Sequence, residues 1–201
     1  QPQLHSPEDA YLYLERLRSI LRVTAVCDAD MEKGTLRCDA NVSVRRAGEP
    51  LSARVEIKNL NSFRFVRRAL QHEIDRQIAV VSSGSEVVQE TRLWDEAQAV
   101  TRTMRDKEQA EDYRYFPDPD LRPLVVDTLL RESAQNGLPE LTHARRDRYQ
   151  REYALAEDLA HRLSLDHEVA DFFDQVVIAS GNAHASARWV LGEWTARLNL
   201  D

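Results

Sequence analysis

The chain has 201 residues, 42% hydrophobic and 30% charged, ordinary values for a globular protein with one sizeable core or two small ones. No apolar run approaches the ~20 residues of a membrane span, and the first residues are not a signal peptide. A formal charge of −7 argues against a general nucleic-acid coat but leaves room for RNA contact through local basic patches.

Cys27 and Cys38 lack the spacing of a zinc site or a disulfide framework, so the default expectation is cytoplasmic. Gln1-Pro2-Gln3 reads as the interior of a longer protein, and the chain is expected to be a fragment.

The first helix is signalled by Ser6 as cap, Pro7 at the first helical position and Glu8 and Asp9 at the positive end of the dipole. Tyr11, Leu14, Leu17 and Leu21 follow at helical spacing. From Leu36 to Arg45 the chain alternates apolar and polar residues, and from Ala53 to Asn59 it alternates again. Ala47-Gly48-Glu49-Pro50 is turn material, so a hairpin is the simplest reading.

A long helix is predicted next, capped by Ser62, burying Phe63, Val66, Leu70, Ile74 and Ile78, and stopped at Gly84. Strands are predicted around Val87 to Trp94, Val100 to Met104 and Leu124 to Val126, with a non-helical Asp112 to Asp120 segment before the last. Beyond Thr128 every periodic segment is helical, near 128–135, 140–152, 155–164, 166–179 and 183–198, the last burying Trp189 and Val190, with Trp194 a further candidate. The expected class is α+β, with a largely antiparallel sheet and packed helices over 1–128 and an all-helical domain over 129–201.

The hairpin's two apolar sets must share a face, so its polar sets share the other. In the register closed by Ala47-Gly48, Asp39 faces Glu56, Arg37 faces Lys58 and Asn41 faces Arg54. Asp39 and Glu56 are then ~5 Å apart between β-carbons, or ~7–8 Å in a diagonal register. Facing carboxylates destabilise a sheet unless something offsets them, and a divalent cation such as Mg²⁺ would suit these oxygen ligands. Flanking Arg37, Arg54 and Lys58 would suit phosphate. The competing reading is a solvated face on which Asp39 pairs with Arg37 or Arg54, an arrangement worth only ~0–1 kcal/mol.

The segments Met31 to Ser43, Glu56 to Phe63, Gln89 to Arg92 and Asp112 to Asp120 resemble, in order and spacing, motifs of the B-type subunits of the aspartyl/glutamyl-tRNA amidotransferases. The similarity runs through essentially the whole chain. The resemblance implies a three-subunit enzyme with a glutaminase (amidase) subunit and a small bracing subunit. The B-type component would use ATP and Mg²⁺ to phosphorylate the side-chain carboxylate of Glu-tRNA(Gln) or Asp-tRNA(Asn). Ammonia from glutamine then displaces phosphate to give Gln-tRNA(Gln) or Asn-tRNA(Asn).

In the family, the positions matching Asp39 and Glu56 help bind the metal, which makes them the catalytic and metal candidates. Arg37, Lys58 and Asn41 are the candidates for holding the nucleotide. Further family ligands, on a histidine- and glutamate-bearing opening strand, are not among these residues, so the fragment is not expected to act alone. No general base is named, because the substrate carboxylate is already ionised at neutral pH. The alternative class is a non-catalytic tRNA-binding or assembly subunit whose acidic hairpin is only structural.

Tyr113, Arg114 and Tyr115, and likewise Arg92, are either ligand contacts or packed and ion-paired residues. Arg64, Arg67 and Arg68 form a basic cluster on the long helix, more simply read as a solvated face. Arg145, Arg146, Arg148 and Arg151 form a denser one, and because the family's helical domain is associated with tRNA, these four are the tRNA-contact candidates. The six histidines show no metal-ligand spacing, and Phe172, Phe173 and Trp189 read as core.

Overall fold

The computed structural model describes residues 3–104 and 118–198. The chain divides into two compact units, Gln1–Glu15 with Ala29–Thr128 and Arg16–Asp28 with Leu129–Asp201.

The first unit begins with the N-terminal half of α1 (Pro7–Val23), where the Ser6 hydroxyl accepts the Asp9 amide at 3.0 Å. Its sheet holds β1 (Ala40–Val42), β2 (Val55–Lys58), β3 (Thr91–Asp95) and β4 (Val100–Thr103), in the spatial order β1-β2-β3-β4. The β1–β2 and β3–β4 pairs are antiparallel, but β2 and β3 run parallel. A parallel pair cannot be joined by a tight turn, and α2 (Phe63–Ser82) makes the crossover.

Ser62 caps α2 by accepting the Phe65 amide at 3.2 Å. Beyond its other end Gly84 adopts φ +82°, a conformation that costs glycine little. Ala10, Leu14, Ala40, Ile57, Leu60, Val66, Ala69, Leu70 and Trp94 form the core between helices and sheet.

Three expectations from the sequence do not hold in this unit. The buried face of α2 is Val66, Ala69, Leu70, Glu73 and Gln77, while Ile78 is 50% exposed. Steps of four residues drift ~40° each around a helix. Ile78 therefore lies about 120° from Val66, whereas Glu73 and Gln77 lie within about 20° of it. Leu124 to Val126 form no strand, and Leu124 is 84% exposed.

The hairpin register also differs from the one read off the turn. The turn does form at Ala47-Gly48, with the Glu49 amide donating to the Arg46 carbonyl at 3.0 Å. The return strand then takes one extra residue by the Ser52-to-Val44 bond and a second by the Val55–Val42 pair. Pro50 has no amide to give the ladder, which removes one constraint against this slippage. A shift of two preserves which face each side chain occupies.

In the second unit, helices α3 (Thr128–Asn136), α4 (Thr142–Tyr153), α5 (Glu157–Ser164), α6 (His167–Ser180) and α7 (Ala183–Trp189) lead into a π-helical turn, Val190–Trp194, and a short α8, Thr195–Leu198. The predicted 183–198 helix is thus interrupted, and the Thr195 hydroxyl donates to the Val190 carbonyl at 2.6 Å inside the wide turn. Asp166 and Asn182 cap α6 and α7. The core is Tyr149, Leu155, Ala160, Leu163, Phe173, Val177, Ala187 and Val190.

Tyr149 meets Phe173 edge-on at 4.9 Å, and its hydroxyl donates to the Ala170 carbonyl at 3.1 Å. Burial pushes the Tyr149 phenol well above its ordinary pKa of 10.0, so it stays a donor at any physiological pH. Trp189 was expected inside but remains 47% exposed, while Trp194 stacks on Phe172 at 4.3 Å.

Candidate active site on the open face of the sheet

Alternation assigns the sheet two chemically different faces. Ala40, Val42, Val55, Ile57, Arg92, Trp94, Thr101 and Thr103 share the parity that faces the helices. Asn41, Glu56, Lys58, Thr91, Leu93 and Arg102 share the opposite parity, and no helix of the first unit covers them among the described residues.

On the open face Asn41 is the direct partner of Glu56. Continuing the register by one residue sets Asp39, which just precedes β1, across from Lys58 and diagonal to Glu56. The direct Asp39–Glu56 pairing is therefore replaced by the diagonal one, with β-carbons ~7–8 Å apart. Arg54 no longer faces Asn41, and Arg37 no longer faces Lys58.

The Glu56 carboxylate is half-exposed. Its Oε2 accepts the Thr91 hydroxyl at 3.0 Å and lies 3.8 Å from Lys58 Nζ. Thr91 is the β3 residue in register with Glu56 across the parallel pair, and the Glu56 amide donates to the Glu90 carbonyl at 3.0 Å. Among the described residues, Oε1 of Glu56 and the side chains of Arg37, Asp39, Asn41 and Arg54 have no hydrogen bond or ion pair. The pairing of Asp39 with Arg37 or Arg54, expected for a merely solvated face, does not form.

Asp39, Asn41 and Glu56 offer only oxygen donors, which fits a hard cation. No group of three or more His, Cys, Asp or Glu suited to a metal occurs among the described residues. Two carboxylates with water or phosphate completing the shell is a set that Mg²⁺ accepts.

The helix-covered face carries a cluster that sequence reasoning missed. Glu73 of α2 is 0% exposed, and its carboxylate accepts from Arg76 at 2.6 and 2.9 Å, Gln77 at 2.9 Å and Thr101 at 2.8 Å. Arg92 Nε lies 3.4 Å from it, while Arg92 also binds Glu90 at 2.7 Å and the Thr101 carbonyl at 2.7 Å. Burial works to raise the Glu73 pKa, but the hydrogen bonds from Arg76, Gln77 and Thr101 outweigh it and hold the group below its ordinary 4.5. Arg92 is thus a structural ion-pair residue and does not reach the open face. Gln77 extends the cluster to the segment just after β1, accepting the Val44 amide at 3.2 Å.

Helical spacing was the signal available for Glu73, since it repeats with Val66 and Leu70 better than Ile74 does. Nothing local marks Thr91 as a partner of Glu56, because a parallel register is a tertiary property.

The basic residues of the second unit are not equivalent. Arg145 binds Glu140 at 3.1 Å and Asp171 at 2.6 Å, and Arg148 binds Glu140 at 2.9 Å and Asp174 at 2.8 Å, tying α4 to α6. Among the described residues, Arg146 and Arg151 pair only with their sequence neighbours Asp147 and Glu152, and they are more exposed. On α2, Arg67 binds Glu8 at 2.9 Å and lies over the Tyr11 ring. Tyr113, Arg114 and Tyr115 fall outside the described residues.

No described helix is long and apolar enough to cross a membrane. The family model of the GatB/GatE catalytic domain matches residues 1–132. The B subunit of the aspartyl/glutamyl-tRNA(Asn/Gln) amidotransferase from Nitrosococcus oceani is 48% identical over 100% of this chain and 42% of that protein. The proteins of the same name from Thioalkalivibrio sulfidiphilus and Carboxydothermus hydrogenoformans are 47% and 46% identical, over 100% and 98% of this chain and 43% and 41% of theirs. The chain thus spans about two fifths of the length of the curated relatives it matches. With the domain match covering well over half of its residues, the chain belongs to the GatB/GatE catalytic-domain family.

Proposed function

We propose that this chain is part of the B-type subunit of a tRNA-dependent amidotransferase, with residues 1–128 belonging to its phosphorylating domain and 129–201 to a helical, tRNA-side domain. The observation that carries the reading is the composition of the open sheet face. Glu56 stands beside Asn41 and diagonal to Asp39, with one carboxylate oxygen unclaimed among the described residues and Lys58 alongside.

Asp39 and Glu56 would hold Mg²⁺, with Asn41 as a neutral oxygen donor. The ion supplies charge neutralisation for phosphoryl oxygens when bound. Lys58, 3.8 Å from Glu56, is placed to leave that contact for a phosphate oxygen, and exposed Arg37 can do the same. The γ-phosphoryl group of ATP passes to the side-chain carboxylate of Glu-tRNA(Gln) or Asp-tRNA(Asn), releasing ADP. Ammonia, drawn from glutamine by the amidase partner, attacks the acyl carbon; phosphate leaves and the amide remains. Such a transfer needs positioning and charge neutralisation more than a protein nucleophile or base.

With the small bracing subunit as a third component, the assembly would be a cytoplasmic ligase. Arg145 and Arg148 are held between α4 and α6, so Arg146 and Arg151 are the better placed of the four to reach tRNA phosphate.

The test is γ-phosphate transfer to Glu-tRNA by the full-length protein in its complex, carrying Glu56→Gln or Asp39→Asn. Loss of transfer with glutamine hydrolysis and tRNA affinity intact is expected. Undiminished transfer in both variants would overturn the assignment and favour a non-catalytic binding or assembly subunit.

A further inference from the structure

Resting on that reading, the geometry points to Thr91 as the positioning residue that aims the Glu56 carboxylate. Glu56 is half-exposed on a strand whose open face has no helix over it, so its side chain would otherwise sample several rotamers. The Thr91 hydroxyl holds Oε2 at 3.0 Å, and Lys58 Nζ approaches the same oxygen at 3.8 Å. Both protein contacts therefore converge on one oxygen and leave Oε1 as the one presented outward among the described residues.

Thr91 is itself firmly placed. Its carbonyl accepts the Met104 amide at 3.0 Å, and its backbone pairs with Glu56 across the parallel ladder. The next residue, Arg92, points the other way into the Glu73 cluster, where four further groups on Glu73, Glu90 and Thr101 receive it. The buried charge cluster thus anchors β3, and β3 delivers the hydroxyl that orients Glu56. Carboxylate ligands are commonly held by such outer hydrogen bonds, and losing one lowers metal affinity by roughly 10–100-fold. Thr91 touches neither metal nor substrate in this scheme; it acts through Glu56.

The test measures Mn²⁺ binding by electron paramagnetic resonance, alongside thermal unfolding, in the full-length protein within its complex. Thr91→Val removes the hydroxyl at nearly constant shape, and Thr91→Ser restores it. The expected result is a roughly 10–100-fold weaker Mn²⁺ affinity for Thr91→Val, near-parental affinity for Thr91→Ser, and similar unfolding temperatures for both. Equal affinities for the parent, Val and Ser proteins would overturn the positioning role. Should the valine variant not fold, Thr91→Cys, similar in size but a far weaker donor, replaces it, and matching Cys and Ser affinities again overturn the proposal. Glu56→Gln in the same series separates the two readings. Weakened binding there with an unaffected Thr91→Val removes only the role of Thr91, whereas unaffected binding in Glu56→Gln removes the metal site itself.

Discussion

Two glutamates flank the same four-stranded sheet from opposite sides, and their surroundings differ as structure differs from chemistry. Glu73, on the covered side, is fully buried and accepts hydrogen bonds from Arg76, Gln77 and Thr101 with Arg92 close by, so its acceptor capacity is nearly filled by the protein. Glu56, on the open side, has one hydroxyl and one distant ammonium on a single oxygen. A saturated carboxylate fixes strands in place; an unsaturated one next to water has capacity left for a ligand. The lesson is that a charged residue's function is read from its unfilled valence, with sequence position a poorer guide.

The largest effect that would test this contrast is on stability. Replacing Glu73 by alanine leaves Arg76 and Arg92 facing a vacated buried site, and breaking a buried pair in this way costs about 3–5 kcal/mol. Urea unfolding of the variant should show it; a cost under about 1 kcal/mol would mean that the cluster behaves like surface charge and that the contrast is false.

A second, smaller effect is its pH dependence. Because Glu73 titrates below its ordinary 4.5 when folded, the unfolded chain binds the proton more readily. Its contribution is fully present above pH 4.5 and is lost as pH falls through the lower folded value. The stability gap between the parent and Glu73→Gln, wide at pH 7, should therefore narrow on acidification below pH 4.5. A gap constant with pH would locate the effect in shape and not in charge. Glu140 in the second unit, held below its ordinary value chiefly by the Arg148 hydrogen bond, adds acid sensitivity of the same sign.

The smallest stability effect belongs to Glu56→Gln. With only a hydroxyl contact and a half-exposed lysine to lose, it should change unfolding free energy by no more than about 0.5 kcal/mol, even as the proposed phosphorylation disappears. A large destabilisation would show that Glu56 is a structural residue like Glu73.

The helices were legible because their signals are local. Ser6 and Ser62, read as caps from the sequence, each accept an amide of the first helical turn, and Gly84 takes the left-handed backbone just beyond α2; the structure adds Asp166 and Asn182 as caps and Gly181 as the left-handed residue after α6. The α2 stripe was misjudged by preferring apolar identity, Ile74 and Ile78, over helical phase. Trp189 was misplaced for a related reason: a large aromatic ring is amphipathic enough to lie half-exposed against Phe172. In the basic face of α4, spacing revealed the charges but not that Asp171 and Asp174 of α6 would neutralise two of them.

By itself, then, the sequence determined where the helices lie, the Ser6 and Ser62 caps, the existence of a hairpin turning at Ala47-Gly48, and the two sets of side chains that share each face of it. The period of a strand fixes parity and nothing more. Only the tertiary structure decided the axial register, where two extra residues in the return strand set Glu56 beside Asn41. It also decided the parallel β2–β3 pairing that brings Thr91 to Glu56, and the burial of Glu73 against strands 19 to 28 residues away in sequence. Those relations depend on how far one strand slides past another and on which distant donors surround a charge, and no local periodicity encodes either.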